Sequence, residues 1–295
     1  MAKLTPYLQL MRPANLVTAI SDVLAGVSIA LLFVPDGSTL DGSVLIALII
    51  ATVGLYGGGV VFNDVFDAEL DARERPERPI PSGRVSIRGA AGLGSILFLI
   101  GVMAAGTVGM LPLQIALAIV VMCLVYDKWA KHHAIAGPLA MGLCRGLNLL
   151  LGMGYSLLAL DQVWFLAVVP VIYIAAVTTI SQGEVHGGQR MPLYFSALLY
   201  GVVVACIVAF GMHYQSSILA VGMILPFILF VLPPLVKAIR TLEAGDVRKS
   251  VKHGVIGLIF MNAAWTAAAG MWTLTFATLL LFPLSIWLAK LFAVT

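Results

Sequence analysis

Asn63, Asp64, Asp67, Glu69 and Asp71 crowd four carboxylates and an amide into nine residues directly after an apolar run. If the helix expected from roughly 44 to 62 continues through them at 100° per residue, Asn63, Asp64, Asp67 and Asp71 share about a quarter of its circumference, and Glu69 points elsewhere. Carboxylates on one stripe repel one another unless a cation lies among them. Mg²⁺ is commonly held in this way, by one or two carboxylates together with the phosphates of a substrate. The alternative is a solvated helix end, although acids at a helix C-terminus oppose the macrodipole.

Arg73, Arg75, Arg78 and Arg84 follow at once, set among Pro76, Pro79 and Pro81. Guanidinium forks bind phosphate oxygens bidentately. Carboxylates for Mg²⁺ beside arginines for phosphate describe a site for a diphosphate. For Arg84 and Arg88 the simpler explanation is the basic bias of loops on one face of a membrane.

The elements that must position these residues are membrane helices. The chain is 61% hydrophobic and 11% charged, with a mean hydropathy of +1.03, well beyond a soluble globular protein. Apolar runs near the ~20 residues that cross a bilayer fall at about 14–34, 43–63, 87–109, 112–127, 136–158, 163–182, 193–212, 217–236, 253–270 and 273–291. They lack the alternation a barrel needs, so an all-α bundle of nine to ten transmembrane helices, one domain over residues 1–295, is expected. The first run is too long for a removable signal peptide and lacks a small-residue cleavage site.

Fifteen of the 17 Lys and Arg lie in the N-terminal segment or in alternate loops, the motif loop among them. The positive-inside rule puts those loops, and the acids with them, on the cytoplasmic face, as in a bacterial inner membrane protein. Membrane lipids account for the net charge of +3, and no nucleic-acid partner is implied. Cys123, Cys144 and Cys206 fall within apolar spans without metal-ligand spacing and read as small buried hydrophobes. Within the spans, Asp22, Arg145 and Asn148 are costly. Arg145 and Asn148 share a helix face; with Asn15 they either line a cavity and read an acceptor, or pair with Asp22 to fix packing. Gly57-Gly58-Gly59 permits close helix approach or local unwinding.

Taken together, Asn-Asp-x-x-Asp-x-x-x-Asp at 63–71, Arg78-Pro79-Ile80-Pro81-Ser82-Gly83, Arg12-Pro13-Ala14-Asn15 and the Tyr126 to Lys131 segment resemble the UbiA superfamily of intramembrane prenyltransferases. The resemblance implies a helical bundle around a lipid-accessible cavity, Mg²⁺, a polyprenyl diphosphate and transfer of its prenyl group to an acceptor, aromatic or lipid-precursor. By that similarity Asn63, Asp64, Asp67 and Asp71 belong to the metal set, and Arg78 and Lys131, with Tyr126 and Arg73, hold the diphosphate. The family's second acidic motif, roughly Lys-Asp-x-Glu-Asp-x-Glu-Gly-Asp, is here Ser181-Gln182-Gly183-Glu184-Val185-His186-Gly187-Gly188-Gln189. Glu184 alone remains as its acid, expected to act in catalysis and metal binding, and His186 reads as a loop histidine.

Ionising an allylic C–O bond needs charge stabilisation of the leaving diphosphate and a dry chamber for the prenyl cation. Tyr56, Phe62, Phe66, Tyr126 and Tyr173 are candidates to face that cation; Asp64, Asp127 and Glu184 are candidates for the base. A degenerate relative that binds an isoprenoid without transfer is the alternative reading. A secondary transporter would place its acids near the bilayer midplane, and the Asp-Gly-x-x-Ala-Arg signature of CDP-alcohol phosphotransferases is absent.

Overall fold

Backbone that crosses lipid has to satisfy its hydrogen bonds internally. In the computed structural model, residues 4–34, 41–184, 187–214 and 222–292 are described, and every regular element among them is helical. The chain runs through α1 (Thr5–Met11), α2 (Pro13–Leu31), α3 (Gly42–Phe66), α4 (Ala68–Glu74), α5 (Ile87–Val108), α6 (Met110–Lys128) and α7 (Ala136–Met153). It continues through α8 (Leu157–Val163), α9 (Val168–Ser181), α10 (Arg190–Tyr214), α11 (Ile224–Thr241), α12 (Ala244–Ala268) and α13 (Trp272–Leu291). Short 3₁₀ turns at Ala130–His132 and Trp164–Ala167 join α6 to α7 and α8 to α9.

The expected apolar runs are all helical, apart from the start of the 217–236 run, which lies outside the described residues. Among the described residues, eight helical spans are long and apolar enough to cross a membrane. The two further expected runs correspond to α7 and α12. These helices carry Arg145, Asn148 and Asn262, and they pack inside the bundle: α7 against α2, α6 and α9, α12 against α2, α11 and α13. Polar side chains in lipid are costly, so the polar helices take the protected positions.

Local chemistry sets the ends. Asp41 caps α3 by accepting from Ser43 N at 2.8 Å and Val44 N at 3.4 Å, and Ser86 caps α5 by accepting from Gly89 N at 3.1 Å. Between α4 and α5 the prolines and Gly83 (φ +73°) close a tight loop. Ser82 N donates to Arg78 O and Val85 N to Pro79 O, both at 3.0 Å. Ile80 and Val85 bury themselves against Leu10, Val61 and Ala90. Arg84 fastens this loop through Gln9 and the Glu77 carbonyl, so its role is structural.

Small residues set the closest helix approaches. α3 packs most extensively against α5. A Cβ on Gly54 would stand 2.6 Å from Leu97 O and 2.7 Å from Gly101 N, against backbone that has no room to yield. Gly54→Leu is therefore expected to cost about 1–3 kcal/mol, read as a lower melting temperature in detergent; an unchanged melt would show that the two helices are free to separate. Gly57, Gly58 and Gly59 do not unwind α3, which stays helical through them. Gly58 makes room for the Phe98 ring, 2.5 Å from where a Cβ would sit.

Candidate active site

α3 ends at Phe66 and α4 begins at Ala68, yet the helical ladder runs through the join. Asp67 N donates to Asn63 O at 3.0 Å, Asp71 N to Asp67 O at 2.8 Å and Arg75 N to Asp71 O at 2.8 Å. The expected stripe therefore forms, and tertiary contacts divide it into two sides. On one side, Arg78 Nη1 lies 2.7 Å from Asp71 Oδ2 and 3.4 Å from Asp64 Oδ1, and Arg12 Nη2 lies 2.5 Å from the same Asp64 oxygen. On the other, Lys131 Nζ meets Asp67 Oδ1 at 2.6 Å, and Asn63 Nδ2 donates to Asp127 Oδ1 at 2.9 Å. Asp64, Asp71 and Asp127 are all buried.

The cations do what the sequence requires of any neighbour of this stripe. They hold the carboxylates together against their mutual repulsion. Three long-range residues complete the picture. Arg12 comes from the junction of α1 and α2, Asp127 from the end of α6, and Lys131 from the 3₁₀ turn that follows it. Arg12 stood in the sequence only as part of a family signature, and its pairing with Asp64 leaves no local periodicity. Arg73, expected to hold diphosphate, is exposed and makes no ion pair among the described residues; it lies two residues from Asp71 and so faces away from the stripe.

Above the charged end lies an apolar chamber of about 270 Å³ between α3, α6, α7, α9 and α12. Asn63, Tyr126 and Asp127 stand on its wall at the motif end, with Tyr56, Arg145 and Asn148 deeper. Cys123 and Cys144 meet on its wall with sulfurs 3.9 Å apart, both as free thiols. Of the aromatic residues singled out from the sequence, Tyr56 and Tyr126 line this chamber. Phe62 instead stacks on Phe98 at 5.4 Å, Phe66 is exposed, and Tyr173 is buried with its hydroxyl donating to Gly254 O at 2.7 Å. None of those three lines the chamber.

Asp22 is the centre of a buried network. Its Oδ2 accepts from Arg145 Nη1 at 2.8 Å and Asn148 Nδ2 at 3.2 Å, and its Oδ1 from Asn262 Nδ2 at 2.8 Å. Arg145 also donates to Thr18 Oγ1 at 2.8 Å and lies 4.9 Å from the centre of the Tyr56 ring. The pair with Asp22 ties α2 to α7, and Arg145 and Asn148 also border the chamber. Asn262 was not singled out from the sequence, although an asparagine inside an apolar run is the same signal.

Glu184 is half-buried beyond the end of α9 and does not line the chamber. Val185 and His186 lie outside the described residues. Burial raises the Glu184 carboxyl above its ordinary value, and nearby Arg248 partly opposes this. A folded-state value above the unfolded one means that ionisation costs stability as pH rises through that interval. Glu184→Gln is therefore expected to melt higher than wild type at neutral pH, the gap closing below the ordinary carboxylate range. A gap that widens in acid would contradict the burial argument.

Residues 23–244 match the UbiA prenyltransferase family. The chain belongs to that family. It is a membrane-embedded enzyme of intramembrane prenyl transfer, and nothing among its relatives favours the degenerate reading. A digeranylgeranylglyceryl phosphate synthase of Methanothermobacter thermautotrophicus is 27% identical over 288 residues, covering 93% of this chain and 99% of the relative. The synthase of that name from Methanopyrus kandleri is 32% identical over 203 residues, covering 69% of this chain and 72% of the relative. The fold matches an apo UbiA homolog from Aeropyrum pernix K1 with a TM-score of 0.69 at 21% identity, over 84% of this chain and 96% of that one. It also matches a UbiA homolog from Archaeoglobus fulgidus, bound to GPP and Mg²⁺, with a TM-score of 0.64 at 14% identity, over 90% and 99% of the two chains.

The donors gathered along the stripe suit a hard cation. It consists of oxygens only, Asn63 spends its amide nitrogen on Asp127 and keeps its carbonyl oxygen, and Asp127 Oδ2 is buried without a hydrogen-bond partner among the described residues. No three acid, histidine or cysteine side chains converge into a ready metal cluster among the described residues.

Proposed function

We propose that this enzyme transfers a long prenyl group, of the geranylgeranyl class, from its diphosphate to a hydroxyl of a glycerol-phosphate lipid precursor, with Mg²⁺ as cofactor. The names of the archaeal relatives support that donor and acceptor, and the GPP and Mg²⁺ bound to the Archaeoglobus homolog support the diphosphate and the metal. The observation that carries the reading is the Asn63–Asp127 pair on the chamber wall with the Asp67–Lys131 pair beside it.

Asn63, Asp67 and Asp71, with Asp64 beside them, would hold the metal. Mg²⁺ bound there supplies positive charge to the leaving diphosphate. Lys131 binds the diphosphate as its departing charge grows, and Tyr126 offers a hydroxyl from the chamber wall. Arg78 positions Asp64 and Asp71 through its two ion pairs. The chamber takes the prenyl chain and keeps water from the cationic carbon. The allylic C–O bond breaks, the acceptor oxygen bonds to the prenyl carbon, and the hydroxyl proton passes to Asp127 Oδ2. Glu184 stands apart from this set, beside Arg248.

Purified protein in detergent, given geranylgeranyl diphosphate, Mg²⁺ and a glycerol-phosphate lipid acceptor, is expected to release diphosphate and form a prenyl ether. A chelator is expected to stop release, and added Mg²⁺ to restore it. Release that survives chelation would remove the metal from the reading.

A further inference from the structure

We propose that a second basin, separate from the Asp67–Lys131 side of the site, binds the phosphate of the lipid acceptor. The inference rests on the prenyl-transfer reading above and adds where the acceptor's headgroup is held. The basin has a volume of about 510 Å³ and lies between α1, the start of α2, the 75–79 turn and the end of α13. Three guanidinium groups, Arg12, Arg75 and Arg78, stand on its wall against a single carboxylate, Asp64. Asp64 is already met by Arg12 and Arg78, and Arg78 also pairs with Asp71, which is not on the wall. Arg75 has no ion pair among the described residues, so its charge is uncompensated there. Gln9 and Asn15 add neutral donors. A phosphate monoester, with nearly two negative charges and several acceptor oxygens, complements that wall, since arginine engages phosphate bidentately.

Two features tie this basin to the reaction. Arg12 and Asn15 border both the basin and the apolar chamber, so a headgroup held in the one sits at the entrance to the other. Arg12 is also held at φ 47°, ψ 66°, a left-handed conformation unfavourable for a residue with a side chain and further restricted by Pro13. Such strain persists where surrounding structure enforces it, and it is concentrated at functional positions. The opposite rim of the basin is apolar, formed by Leu288, Ala289 and Phe292, and α13 exposes Leu284, Trp287 and Leu291 along its outer side. A charged wall facing an apolar rim selects an amphiphile. Neither Lys131 nor Asp67 lies on this basin, and Asp64 is the one member of the acid stripe on its wall.

The test uses the full chain in detergent and three probes: an oleoyl glycerol phosphate, the uncharged monooleoyl glycerol and inorganic phosphate. Wild type is expected to bind the phosphate amphiphile roughly tenfold or more tightly over the uncharged one, a preference that the exposed substitution Arg75→Gln largely removes. Inorganic phosphate is expected to compete only weakly. In the transfer assay Arg75→Gln is expected to raise the acceptor KM by about tenfold and leave the donor KM unchanged. Equal binding of charged and uncharged amphiphiles, an Arg75→Gln variant that keeps the preference, or inorganic phosphate binding as tightly as the amphiphile would each overturn the inference. A wild type that binds the phosphate amphiphile selectively but transfers no prenyl group would fail the proposed function and leave the basin as an anionic-lipid site.

Discussion

Asp67→Asn is expected to lower turnover by about 10²–10³-fold, the usual loss when one preorganised charge at a developing anion is removed. Asp67 is the carboxylate paired with Lys131 at 2.6 Å, so the substitution removes a carboxylate proposed to hold the metal and leaves the lysine without its ion-pair partner. The readout is diphosphate release at saturating donor and Mg²⁺. Asp64→Asn, whose carboxylate is occupied by Arg12 and Arg78, should lose less, and its loss should appear mainly in KM. The order of the two effects carries the argument: an Asp67→Asn enzyme that turns over as fast as wild type, or an Asp64→Asn enzyme that is the worse of the two, would move the reaction centre to the other side of the stripe.

Asp22→Ala is expected to be the most destabilising single change, by about 3–5 kcal/mol, because it leaves the Arg145 charge buried and uncompensated. The same change also strands Asn148 and Asn262, which donate to the two Asp22 oxygens. Asp22→Leu combined with Arg145→Met should recover much of the loss, since removing both members of a buried pair spares the desolvation that a lone charge suffers. Thermal melting in detergent separates the two cases. A double variant no more stable than Asp22→Ala would mean that the pair holds α2 to α7 through its hydrogen bonds rather than its charges.

The sequence by itself determined the helical membrane architecture and the presence of the acid stripe. Both follow from short-range physics. A backbone in lipid has to close its own hydrogen bonds, and the 100° step puts Asn63, Asp64, Asp67 and Asp71 on one stripe wherever the helix continues. The same local reasoning marked Asp22, Arg145 and Asn148 as residues that need partners, because an unpaired charge in a bilayer costs too much to leave alone.

Tertiary structure alone decided which partner each residue has. Arg12 reaches Asp64 across 52 residues, Asn63 reaches Asp127 across 64, and Asn262 reaches Asp22 across 240. No periodicity records such pairings. They follow from how glycine-lined helices cross, and those crossings depend on packing along the whole length of each pair. Arg73 and Arg75 look alike in a basic loop, yet only Arg75 lies on the basin wall, because the end of α4 and the proline turn fix which way each points. The division of one acid stripe into a lysine side and an arginine side is likewise set by where α1, α6 and the 75–86 loop close over it.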